Sequence, residues 1–227
     1  PTNAYTGWLG ERWLDYHSEP YQDSRWVEAG MPAEHHHTTW CAQMAINFIE
    51  AHAAGEQPWL FSVNIFDPHF PFDPPAGYLE RWADRLDEIP LPNLVEGEID
   101  GKPEFHGQHH RDELDPPQPY PYLEMADEDH RLLTAAYWAM GELIDAQVGR
   151  LLETLEQTGQ LENTLVIFTS DHGEMLGDHG IYGKGPYFFE PATHVPLVLS
   201  QPGGIEPGRS YALVELVDLA PTLLEAA

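Results

Sequence analysis

The sequence predicts an α/β fold, a mostly parallel sheet sandwiched by helices, and three observations carry the prediction. Two short apolar runs rich in strand formers, residues 59–66 and 164–168, each stop at a polar loop. A long segment of helical periodicity, residues 129–157, lies between them. Helix and buried strand alternate in this way where a sheet is covered by helices on both faces.

Taken in order, residues 1–33 are aromatic, proline-containing and polar, and read as a surface excursion. From about residue 34 to residue 53 the positions Trp40, Met44, Ile46, Phe48 and Ile49 fit an amphipathic helix, with Gly55 ending it and Pro58 beyond. The apolar run 59–66 follows as a buried strand that stops at Asp67-Pro68. Residues 84–128 are Pro-rich, acidic and without periodicity, and predict a long loop or lid. The strongest helix spans 129–157, where Leu133, Ala136, Met140, Leu143 and Leu155 share one apolar face and Gly159 caps the end. A strand at 164–168, a glycine- and histidine-rich loop at 170–185, a strand at 195–199 and the turn Pro202-Gly203-Gly204 come next. Asp218 and Pro221 open a last helix. There is no initiator Met and the sequence stops inside that helix, so both ends read as cut.

Composition narrows the function. With 42% hydrophobic residues the chain has enough apolar surface for a core, which excludes global disorder. The formal net charge of −28, from 38 acids against 10 bases, argues against nucleic acid and anionic membranes as partners. No apolar run approaches a membrane span, and no signal peptide is visible, so a cytoplasmic location is the expectation. An anionic substrate must be drawn in by a local cluster of cations, yet Lys102 and Lys184 are the only lysines. The single cysteine, Cys41, sits at helical spacing and reads as a buried thiol, not a nucleophile.

Two loops at expected strand ends are dense in polar chemistry, where open α/β sheets bind ligands. The first is Asp67-Pro68-His69-Phe70-Pro71-Phe72-Asp73. An imidazole held between prolines can protonate a leaving-group oxygen, although a lone His is more often packed or solvated. The second loop holds Asp171-His172-Gly173, Asp178-His179-Gly180 and Gly183-Lys184-Gly185. Asp171 and His172 can both reach one cation; the bland alternative is an Asx-type turn beside a solvated His, and Gly173 permits the turn. An ammonium at Lys184 can neutralise a tetrahedral oxyanion.

These motifs resemble the sulfatases of the alkaline phosphatase superfamily. Residues 169–180 look like their second metal-binding motif, residues 184–198 like the stretch after it, and Asn64 through Phe72 like their Pro-His-x-Pro-Phe loop. The resemblance is to the choline-sulfatase and phosphonate monoester hydrolase-like branch, and it implies one partial catalytic domain over residues 1–227. It further implies that Asp171 and His172 ligate one divalent metal ion, with calcium or manganese ahead of zinc. Lys184 and His69 would contact the substrate and act in catalysis, with His179 a further substrate contact and Asp178 and His194 in support. The mechanism implied is attack on sulfur by a formylglycine hydrate; the substrate is a sulfate ester of a small molecule or carbohydrate.

Two departures bear on this. The family's amino-terminal Asp pair and Cys-x-Pro-Ser-Arg sequence are not present, and Cys41 is followed by Ala42-Gln43-Met44, so formylglycine is expected from upstream sequence. His172 stands where many sulfatases carry Asn, and imidazole suits transition metals better than calcium. A phosphonate monoester or phosphodiester hydrolase on the same scaffold is the enzyme alternative, and an acidic metal-binding module the non-enzyme one. The run His35-His36-His37 reads as structural or channel-lining in preference to a metal tract.

Overall fold

In the computed structural model, which describes residues 3–227, helices supply most of the regular structure. Helix α1 covers Ala4–Gly10, and strands β1 (Glu19–Pro20) and β2 (Glu28–Ala29) form a small antiparallel ladder. Helix α2 covers His37–His52, α3 Ala76–Ala83, α4 Glu104–His110 and α5 Asp127–Gln157. Strand β3 (Val166–Thr169), helix α6 (Glu190–Thr193), strand β4 (Leu197–Ser200) and helix α7 (Leu219–Ala226) complete the order.

The long helix organises the molecule. Three acidic residues, Asp127, Glu128 and Asp129, open α5 where the helix dipole is positive, and Asp129 accepts from the Ala126 N–H at 2.8 Å. Its inner face carries Leu133, Ala136, Met140 and Leu143 out of contact with solvent, and small Ala135 and Ala139 lie beside them. Helices α2 and α3 both pack on α5. Small side chains at such a seam let backbones approach closely, and ridges of the larger ones fill the grooves. Arg150 ties α5 to α2 through Gln43, with the guanidinium donating to Oε1 at 2.6 Å.

The α/β class is the expected one, but several elements differ. Residues 59–66 run extended and belong to no ladder among the described residues, and Leu60 and Phe66 are more than half exposed. Strand formers make a strand only beside a paired edge, and no described strand lies alongside. Among the described strands the ladders are antiparallel, with Val166 opposite Ser200 and Thr169 opposite Leu197, so the mostly parallel arrangement is not represented there.

The amino-terminal region is more than a surface excursion. Tyr5, Leu9 and Met31 make a buried cluster of their own, and Val27 enters the main core. Nor are residues 84–128 a free lid. Ile89 and Tyr120 are core residues, and α4 docks on the loop after β3 through its histidines. His106 and His110 reach the carbonyls of His179 and Gly180 at 3.2 and 2.8 Å, and His109 meets the Tyr187 hydroxyl at 2.9 Å. Proline and acid content hid a helix whose contacts are polar.

Because Met140 is fully buried where α5 meets its neighbours, Met140→Ala should cost about 2–5 kcal/mol of unfolding free energy. Urea denaturation followed by circular dichroism checks this; a cost well under 1 kcal/mol would mean that the seam relaxes around the lost side chain.

Candidate active-site cleft

The two motif loops face each other across one cleft of about 350 Å³, lined on one side by residues 64–69 and on the other by residues 170–174. Tyr137 of α5 closes the gap between them. The Pro-His-x-Pro-Phe loop is anchored by Phe72, which is buried to 1% exposure against Tyr120 and Tyr137, at 5.0 and 6.3 Å between ring centres. An apolar anchor three residues beyond His69 holds that histidine at the cleft without spending its own polar atoms on the core.

His69 and His172 approach edge to face with ring centres 6.2 Å apart. His69 places Nδ1 2.6 Å from the Phe70 carbonyl, and His172 places Nδ1 2.8 Å from the Gly173 carbonyl. A carbonyl can only accept, so both imidazoles donate from Nδ1, which leaves Nε2 of each for chemistry. In the neutral imidazole of His172 that nitrogen would carry the free lone pair, and the carbonyl bond orients the ring as the outer partners of metal-binding histidines do. Asp171 brings Oδ2 to 3.8 Å from His172 Nε2, while its Oδ1 accepts from the His172 N–H at 3.0 Å. One hard oxygen and one imidazole nitrogen, accessible and side by side, fit a divalent metal. They would be two ligands of the larger set that such an ion needs.

Gly173 serves this turn by close approach and not, as the sequence suggested, by conformational freedom. Its N–H donates to the Ala192 carbonyl at 2.8 Å, and a Cβ there would meet the Pro191 carbonyl oxygen at 1.9 Å. Helix α6 therefore lies directly against the Asp171-His172 backbone. Gly173→Ala should push the two apart at a cost of about 1–3 kcal/mol, the usual range for overpacking. The change would be read as a lower denaturation midpoint and altered His172 ring signals by NMR; unchanged spectra would show that α6 moves freely.

Lys184 and His179 take different positions from those expected. Lys184 does not line the cleft; its Nζ sits over the Phe70 ring, 5.5 Å from the centre, and that ring is 4.3 Å from His69. Its charge thus stands beside the cleft. His179 is turned away altogether: its Nδ1 pairs with Glu98 and its ring stacks on Phe189 at 4.0 Å between centres. Asp178 is likewise engaged, accepting from the Asn93 N–H at 2.7 Å, and His194 pairs with Glu190 in solvent. His179 and Asp178 thus bind the 93–98 segment and not the cleft. Cys41 is half-buried, not buried; its thiol donates to the Asn64 carbonyl at 3.7 Å, and burial together with the Asp67 charge raises its pKa.

The cleft also contains residues that sequence reasoning passed over. Glu174 lines it, and burial pushes its carboxyl up, while the Leu176 and Gly183 N–H groups and the charges of Lys184 and His69 pull it back. Its place next to the Asp-His-Gly turn was a usable signal. Tyr137 gave none, because an aromatic on an apolar helix face reads as core.

An α/β chain with these facing loops is a hydrolase scaffold of the alkaline phosphatase superfamily. The family profile described as Sulfatase matches residues 2–227, and the chain belongs to the sulfatase family. It is 34% identical over 192 residues to the uncharacterized sulfatase YidJ of Escherichia coli, covering 83% of this chain and 36% of that protein. It is 31% identical over 171 residues to a choline-sulfatase of Rhizobium meliloti, covering 75% of this chain and 32% of that one. Among solved structures, the phosphonate monoester hydrolase SpPMH of Silicibacter pomeroyi superposes with a TM-score of 0.76 at 31% identity, over 87% of this chain and 39% of that chain. The chain therefore spans under two fifths of the length of these relatives. Sulfatases generally use a divalent metal and a formylglycine.

Proposed function

We propose that this chain carries the leaving-group side and part of the metal site of a sulfatase, within a full-length protein that hydrolyses a sulfate ester of a small molecule or carbohydrate. The observation that supports the reading is the convergence of His69 with Asp171 and His172 on one cleft. Asp171 and His172 are the residues that would hold the divalent metal, with manganese favoured over calcium because one donor is imidazole. When bound, that metal and the formylglycine supply oxyanion stabilisation and the nucleophile.

The residues of this chain perform the rest. His69, protonated on both nitrogens, keeps its Nδ1–H on the Phe70 carbonyl and offers the Nε2–H to the bridging ester oxygen as the sulfur–oxygen bond breaks. The lysine at 184 supplies a positive charge beside the cleft in a protein whose net charge of −28 repels sulfate esters at long range. Tyr137 and Phe66 give the cleft wall apolar surface beside its polar groups.

A second reading has its own support. The structural likeness to the Silicibacter pomeroyi phosphonate monoester hydrolase and the imidazole beside Asp171 favour hydrolysis of a phosphonate monoester or phosphodiester. Relative kcat/KM of the full-length protein on an aryl sulfate and an aryl phosphonate monoester decides between the two.

A leaving-group series tests the assigned roles. Proton donation matters when the departing oxygen is a poor anion, so His69→Ala should lower turnover of alkyl sulfates by about 10²–10⁴-fold and spare nitrophenyl sulfate. Lys184→Ala, which removes a charge standing beside the cleft, should impair both alike. Equal dependence on leaving-group pKa in the wild type and His69→Ala would remove His69 as the acid.

A further inference from the structure

In the wall of the cleft, where Asp67 belongs to the lining, lies a second group of metal-type donors, and the mechanism above uses none of them. At the start of α2 the backbone changes from extended at His36 to helical at His37. That change turns two consecutive imidazoles to the same side, with ring centres 4.3 Å apart. The carboxylate of Asp67 enters between them from the end of the extended segment 59–66. Its Oδ2 lies 3.5 Å from His36 Nδ1, and its Oδ1 lies 3.1 Å from His37 Nε2. One donor atom from each of the three residues lies within 4.8 Å of the others.

Three features point to a ligand in preference to a hydrogen-bonded cluster. The side chains of His36 and Asp67 have no solvent exposure, and that of His37 has 18%. Within this dry pocket His36 Nδ1 accepts from the Thr38 N–H at 3.4 Å and Asp67 Oδ1 pairs with His37 Nε2, yet His36 Nε2 has no hydrogen-bond partner, an expensive state for a buried imidazole. One donor atom from each residue lies no more than 4.8 Å from the others, so a small inward shift brings them to the spacing of about 3.3 Å found on a tetrahedral ion with bonds of about 2.0–2.1 Å. Thr38 donates its hydroxyl to Asp67 Oδ2, which orients the carboxylate as the outer partners of metal ligands do. A second buried carboxylate, Asp73, is 3% exposed and bonded to the Tyr16 hydroxyl; it adds negative charge to the same region.

We propose that His36, His37 and Asp67 bind a divalent transition metal, zinc first, in a site separate from the one assigned to Asp171 and His172. Two imidazoles and one carboxylate suit zinc far better than calcium or magnesium. The ion clamps the start of α2 to the residue that stands two positions before His69, so it braces the cleft wall. His35, though part of the same histidine run, contributes no donor to the group.

Full-length His172→Ala protein, which lacks the imidazole of the cleft site, is stripped with chelator, loaded with one equivalent of zinc and studied by X-ray absorption. The expected spectrum has two imidazole nitrogens and at least one oxygen on zinc. Failure to retain zinc after gel filtration, or a zinc with fewer than two imidazoles, overturns the proposal. In the same background, Asp67→Asn and His37→Gln should each lower zinc retention at least tenfold, while His35→Ala should not. Circular dichroism first establishes that each variant is folded, and the absorption data on the His172→Ala protein stand whether or not the further variants fold. Undiminished zinc in folded Asp67→Asn and His37→Gln would equally overturn the assignment. Because ester turnover plays no part in the readout, a negative result leaves the hydrolase reading untouched.

Discussion

Helix α5 presents Leu133, Ala136, Met140 and Leu143 to a core against which α2 and α3 both pack, and water is removed from these side chains completely. Burial of a large aliphatic side chain is worth about 1.5–3 kcal/mol, so this face contributes several such increments in one place. The site depends on it. Phe72, sealed into the same core, fixes the loop that carries His69, while Tyr137 reaches from α5 into the cleft itself. The loop after β3 is held from the other side, where the Tyr182 hydroxyl meets His130 of α5 at 2.7 Å. One helix thus sets the separation of the two loops whose chemistry must meet.

The histidines divide according to what their second nitrogen touches. His69 and His172 spend Nδ1 on the carbonyl next to them and keep Nε2 for the cleft. His106 and His110 spend a nitrogen on carbonyls of the 179–180 turn and so join α4 to it. Imidazole is suited to both tasks because it is a donor, an acceptor and a flat apolar surface at once. In a chain with only two lysines, histidines take over much of the polar cross-linking, and they do so without the high desolvation cost of a fixed charge.

Much of this was legible in the sequence because it rests on local pattern. The apolar periodicity of α5 gave a helix within two residues of its true start, at Asp127. The Asp-His-Gly and Pro-His-x-Pro-Phe motifs pointed to side chains that do converge. What failed depended on partners distant in sequence. Residues 59–66 have strand composition but no paired edge; α4 is polar and packs through hydrogen bonds; His179 is bound by Glu98, 81 positions away. Nor could spacing show that two neighbouring histidines in a run of three would turn inward onto Asp67. That outcome depends on a helix beginning between them.

The central claim is that a metal held by Asp171 and His172 sits within reach of His69. Crystals of the full-length protein grown with manganese, measured at the manganese absorption edge, test it most directly. The account predicts an anomalous peak bonded to an Asp171 carboxylate oxygen and to His172 Nε2, with the His69 ring facing the same cleft. A peak elsewhere with Asp171 and His172 free of metal, or a metal at that pair with His69 turned out of the cleft, would contradict it.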